Sequence, residues 1–197
     1  MHTFQEAARL APDQVGTEAA RLATAPDAAA PGFVLGAQFE EDFYRTNNLP
    51  EQLRTLFHPI NPNRIDEDAL EVLCARAESL VRSSYLLDDA VQLFYRALAS
   101  TRLTQGTAHV RRDAGAHTHV VTVTPPGQQV LVAVKKLWAH DWTFDAVLER
   151  LDTTGSVALE ARPILVFAGP PGTPDPAVAR AYGWPRALVN EHGIVGA

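Results

Sequence analysis

Arg111-Arg112 and Lys135-Lys136 are the residues of this chain whose types and placement point to chemistry with an anion. Each pair closes a run that reads as a β-strand, Thr107 to Arg112 for the first and Val130 to Val134 for the second. A third run, His117 to Thr124, lies between them. In a three-strand meander the first and third strands run parallel, which would gather all four charges at one edge of a sheet. Trp138 and His140 follow directly, and aromatic rings beside bases can stack on nucleobases. Arg111, Arg112, Lys135, Lys136, Trp138 and His140 are therefore the ligand-binding candidates. Trp138 and Trp142 fit equally well as rings that close a sheet edge against helices.

Three other groups have residue types suited to chemistry. His117 and His119 share one face of their strand and His109 sits on the neighbouring one, so with Asp113 they are weak candidates for holding a divalent metal. Surface or hydrogen-bonded histidines explain the same pattern, and the reading assigns no metal. Gly169-Pro170-Pro171-Gly172-Thr173 follows an apolar strand and looks like the opening of a phosphate-binding loop. A glycine, a lysine and a hydroxyl are needed next, and Pro174, Asp175 and Pro176 stand there. Proline lacks an amide donor and Asp repels phosphate, so the segment predicts a Pro-Gly loop and no nucleotide site. Cys74, the single cysteine, lies on a helical apolar stripe and reads as a small core residue.

The elements that must position these residues follow from pattern. Of the 197 residues 46% are hydrophobic and 20% charged, the balance of a globular chain. No apolar run approaches the roughly 20 residues of a membrane span, and the start Met1-His2-Thr3-Phe4 lacks a secretory leader. These features predict a cytoplasmic protein. The net charge of −6 is uneven, for residues 103–137 hold four bases against Asp113 alone. An acidic body with one small basic patch does not have the broad basic face of a non-specific DNA binder.

Residues 1–32 are Ala-rich and end in Pro31-Gly32, which predicts a flexible or loosely docked arm. Residues 33–197 then read as a single α+β domain, with a helical half at 33–102 and a sheet half at 103–197. Phe33 to Tyr44 fits a helix. Asn48 and Pro50 announce a short second one, which ends before a turn-rich loop from His58 to Asn63. Leu70, Leu73, Cys74, Ala77, Leu80 and Val81 recur at helical offsets, with Asp68 and Glu71 as a capping-box-like start. Ser83-Ser84 breaks that pattern before a second stripe, Leu87 to Leu98. Phe144 to Leu151 predicts a helix behind a cap at Asp141 or Thr143. Strands at 156–161 and 164–168 are separated by Pro163, and the tail holds one short helix, Asp175 to Ala181. The expected order is α-β-β-β-α-β-β-α, with N-terminal helices packed on a mostly antiparallel or mixed sheet of about five strands.

That order over residues 66–168 resembles the core of the PD-(D/E)XK nuclease family, with Asp113 and Lys135 at two positions of its motif. The resemblance implies acids holding magnesium for phosphodiester cleavage. The acid two residues before the lysine is Ala133, which implies an inactive copy or a migrated carboxylate such as Glu71 or Glu160. The same order also resembles small secretion-chaperone-type folds, which implies a dimeric acidic binding protein without catalytic residues.

No catalytic constellation is complete, so no catalytic residue and no cofactor is assigned, and the chain leans away from enzyme chemistry. The leading expectation is a non-enzymatic binding or accessory protein whose partner is another protein or a second copy of itself. The alternative is a nucleic-acid-binding or degenerate nuclease-related protein that uses the basic sheet edge.

Overall fold

A computed structural model describes residues 1–62 and 64–197. The architecture is α+β, as the sequence pattern predicts. β1 (His2–Thr3), α1 (Phe4–Ala7), α2 (Pro12–Val15) and α3 (Thr17–Leu22) precede β2 (Gly32–Leu35). Four helices follow: α4 (Ala37–Thr46), α5 (Leu49–Phe57), α6 (Glu67–Ser83) and α7 (Asp88–Ser100). β3 (Gly106–Arg112) and β4 (Thr118–Val123) lead into α8 (Gln128–His140) and α9 (Phe144–Thr154). β5 (Ile164–Ala168), β6 (Thr173–Pro174), α10 (Pro176–Tyr182), β7 (Leu188–Asn190) and β8 (Gly193–Gly196) complete the chain. It divides into two compact units, one of Met1–Phe39, Leu87–Val134 and Arg162–Ala197, the other of Glu40–Leu86 and Lys135–Ala161.

The first unit is built on a five-stranded sheet of order β1-β2-β5-β3-β4, antiparallel at every pairing. Successive side chains alternate between its faces. Phe33, Val166 and Val110 are in register on one face, and the Phe33 ring meets Phe94 of α7 edge-on at 5.7 Å. Val34, Leu165 and Phe167 point to the other face. There they join Phe4, Ala7, Val15, Ala19, Leu22 and Val195 in one buried cluster.

The expected loosely docked arm is therefore a wall of the core. Its alanines suffice because they let short helices approach the sheet closely, and Phe4 adds a ring stacked on Phe167 at 5.2 Å. The expected helix at 33–44 is also corrected. Its first three residues are strand β2, buried throughout between β1 and β5, and the helix starts only at Ala37. A central strand covered on both faces is uniformly apolar and shows no alternation.

The largest correction concerns the third expected strand. Val130 to Val134 belongs to helix α8, and Lys135-Lys136 lies inside that helix rather than at a strand end. Val130, Ala133, Val134, Leu137 and Trp138 are all buried at helical offsets, whereas Val132 and Lys136 are exposed. No strand forms at 156–161, and the tail holds three short strands, β6, β7 and β8, beyond its expected helix.

In the second unit the break at the serine pair is present. The hydroxyls of Ser83 and Ser84 both donate to the Leu80 carbonyl, at 3.1 and 2.8 Å, and Ser84 is already extended. The cap of α6 is Asp66, which accepts from the Ala69 amide at 3.0 Å, not the expected Asp68. Trp138 stacks on Phe43 at 4.5 Å and Trp142 on Phe57 at 5.6 Å, so both tryptophans fill this unit and do not close a sheet edge. Cys74 is buried here, and its thiol is pushed up to about 11 by desolvation, as suits an inert core residue. Of the expected loop at His58 to Asn63, the last residue lies outside those described.

Deleting residues 1–31 removes β1 and three helices from the sheet face. Thermal denaturation should then show a Tm lower by more than about 8 °C, or no cooperative transition. Phe4→Ala alone should cost about 3–5 kcal/mol in a denaturant titration.

Candidate functional site

Glu18, Ala19 and Leu22 are the buried residues of α3, so Glu18 sits on the buried face of its helix. It is 1% exposed. A carboxylate so placed requires donors, and Arg111 of β3 supplies them bidentately, Nη1 at 2.6 Å and Nη2 at 2.9 Å. The amides of Ala114 and Ala197 add bonds of 2.9 and 3.0 Å. The Arg186 guanidinium stands 3.8 Å away at the rim. Burial alone would raise the Glu18 carboxyl, but the hydrogen bonds and charge of Arg111, with the two amides, hold it below its ordinary range.

Arg111 is 4% exposed and also donates to the Val195 carbonyl at 2.6 Å, with its guanidinium 5.5 Å above the Phe167 ring. Arg112, likewise buried, donates to the Arg162 carbonyl at 2.8 Å. These two arginines close β3 as the sequence predicts, but they face the interior and bind the chain's own carboxylate and carbonyls.

Asp113, the expected nuclease-type acid, is a helix cap supplied from a distance. Its carboxylate accepts from the Glu18 and Ala19 amides at 3.1 Å each, at the start of α3. Burial raises its pKa, the two amides oppose this, and the neighbouring Glu18 charge adds to the rise. Gly16 makes the approach feasible. Its φ is +94°, and a Cβ there would lie 2.4 Å from the Asp113 carboxyl carbon.

His109 is buried on the same sheet face as Arg111. Its ring stacks on Phe167 at 5.2 Å, and its Nδ1 donates to the Gly169 carbonyl at 2.9 Å. Burial lowers its pKa, with the Gly169 bond opposing, so the imidazole is neutral. The register of β3 with β4 puts His109 opposite Val120, hence on the face away from His117 and His119, whose rings meet at 4.9 Å. The three histidines do not converge. Among the described residues no cluster of three or more histidine, cysteine or acidic side chains has metal-binding geometry.

Lys135 donates to the carbonyls of Arg82 and Ser84 at 2.7 and 2.5 Å, closing the C-terminus of α6 with the charge its dipole favours. Desolvation lowers its pKa. Lys136 is exposed, Trp138 is buried, and His140 is half-buried on the last turn of α8. The meander that would have gathered the four charges does not exist, because its third strand is helical. The same fact removes the strand order behind both family resemblances.

The Gly169–Thr173 loop is tied down by its own carbonyls. Asn190 donates to the Ala168 and Pro170 oxygens at 2.9 and 2.8 Å, and His109 takes that of Gly169. The Ala168 and Gly169 amides donate to Pro31 and Thr107. Asp175, where a phosphate loop needs lysine, caps α10 through the Ala177 and Val178 amides.

Glu18 is the residue that the sequence reading missed, although an acid on an apolar stripe was its signal. Neither a family model nor a curated protein matches this chain. No helix among the described residues is long and apolar enough to cross a membrane.

Glu18→Gln keeps the shape and removes the charge, leaving Arg111 buried beside a weaker acceptor. It should cost about 3–5 kcal/mol. The depressed Glu18 carboxyl contributes stability that is present above its ordinary pKa of 4.5 and lost as pH falls through the folded value. Asp113, being raised, opposes this, gaining stability as pH falls toward its ordinary 3.8. The lowered His109 adds an earlier decline that starts as pH drops below 6.5. Chemical denaturation from pH 7 to 3 should show both declines in the wild type, and Glu18→Gln should shrink the later one while leaving the earlier one in place.

Proposed function

We propose that this chain is a non-enzymatic binding or accessory protein that acts through protein–protein contacts. One observation carries the reading. Glu18, Arg111, Asp113 and His109, a buried ionisable cluster, hold chain segments to one another and turn no reactive atom toward a ligand. Perturbed groups mark functional sites when they line a cleft, whereas structural ion pairs produce the same shifts. The exposed surface offers apolar side chains instead, among them Tyr85, Leu87, Leu93 and Val120.

The nucleic-acid alternative relied on four bases, of which Lys136 alone is exposed. A salt titration with single- and double-stranded DNA and RNA separates the two readings. The expected result is binding no tighter than about 10⁻⁴ M, the weak end of non-specific association. Micromolar binding that loses about one unit of salt slope in Lys136→Ala would overturn the proposal, as would metal-dependent cleavage of the probe.

A further inference from the structure

The two edges of the five-stranded sheet are built differently. β1, at one edge, is two residues long, and shortness is a common way to blunt an edge. β4, at the other, is six residues long and unblunted. Its register with β3 runs without a shift from Gly106↔Val123 to Arg111↔Thr118, so no bulge twists it away. The strand Thr118-His119-Val120-Val121-Thr122-Val123 contains no lysine, proline or acid, the residues that usually guard such an edge. Among the described residues no strand pairs with its outer side. Val120, 52% exposed, stands on a sheet face whose inner columns are buried.

We infer that this edge pairs antiparallel with β4 of a second copy, joining two sheets into one. The occupant follows from the strand's own complementarity. A two-fold axis perpendicular to the sheet at Val120 sets Val120 opposite its counterpart, Thr118 opposite Thr122, and His119 opposite Val121. Every such pair lies on a common face, as antiparallel pairing requires. The protein carries a net charge of −6, yet this strand has no acidic or basic residue besides His119, so two copies meet there without like-charge opposition. Five paired residues on each strand, Thr118 to Thr122, bury less than a standard interface of roughly 1,200 Å², which points to a reversible dimer in the micromolar range.

The inference rests on the protein-binding reading and specifies its partner. Sedimentation velocity of the full chain, from roughly 1 to 500 μM, tests it. The wild type should dimerise reversibly with a Kd on the order of 10 μM. Val120→Lys puts two like charges directly opposite and should weaken the dimer at least about tenfold. Val132→Lys, also exposed but on α8, should leave it unchanged. If Val120→Lys lacks a cooperative melt, Thr118→Lys/Thr122→Glu decides. It pairs opposite charges across the axis and should dimerise at least as well as wild type, whereas Thr118→Lys/Thr122→Lys should not. A wild type monomeric throughout, or a dimer indifferent to these charges, overturns the inference. Either result leaves the protein-binding reading standing, since that reading falls only to nucleic-acid binding or cleavage.

Discussion

The bidentate pair between Glu18 and Arg111 is the constraint on which the sheet unit depends. Taking a carboxylate out of water is costly, and the cost is offset only when every oxygen finds a donor. Glu18 finds four hydrogen bonds: two from Arg111, one from Ala114 and one from Ala197. These donors come from the middle of the sheet, the turn after β3 and the C-terminus. One side chain thus fixes three distant parts of the chain at once. The Phe167 ring serves the same junction, contacting Phe4, His109 and Arg111 at 5.2, 5.2 and 5.5 Å. A buried ion pair adds little net stability over an apolar replacement, but it tolerates only one arrangement. Here that arrangement is what keeps an Ala-rich helix, poor in grip, at one position on the sheet.

This use of charge explains how the basic residues divide. A base near an anion site should have its donors turned outward. Arg111, Arg112 and Lys135 have theirs turned to Glu18, to the Arg162 carbonyl and to the end of α6. The Asp113 carboxylate is similarly engaged with two helical amides. Arg111, Arg112, Lys135 and Asp113 are thus internal fastenings. Among the described residues, the β4 edge and exposed apolar side chains such as Val120 carry no such internal bond.

Much of this fold was legible in the sequence, and the failures have physical causes. Helices α6 and α7 were readable because a one-sided apolar stripe repeats for several turns and two serines interrupt it. β3, β4 and β5 were readable as short β-rich runs bounded by turn residues. α8 was not, because Val130 to Val134 is β-branched and apolar, and its helical period becomes visible only when the window extends to Leu137 and Trp138. β2 was hidden by the opposite problem, a fully buried strand without alternation beside a true helix. The docking of residues 1–32 depended on a partner 93 positions away from Glu18, which no local pattern contains. Within the candidate site, the position of Arg111-Arg112 at a strand end was correct and its orientation was not, since facing depends on what covers the sheet.

If the Glu18–Arg111 pair is the junction described, the segments it holds should open together. Native-state hydrogen exchange on wild type and Glu18→Gln measures this directly. The account predicts that amides in α3, in β8 and in the turn at Ala114 lose protection by the same amount in the variant. Those of α6 and α9 should be unaffected. Loss of protection spread evenly over all elements, or confined to α3 alone, would contradict it.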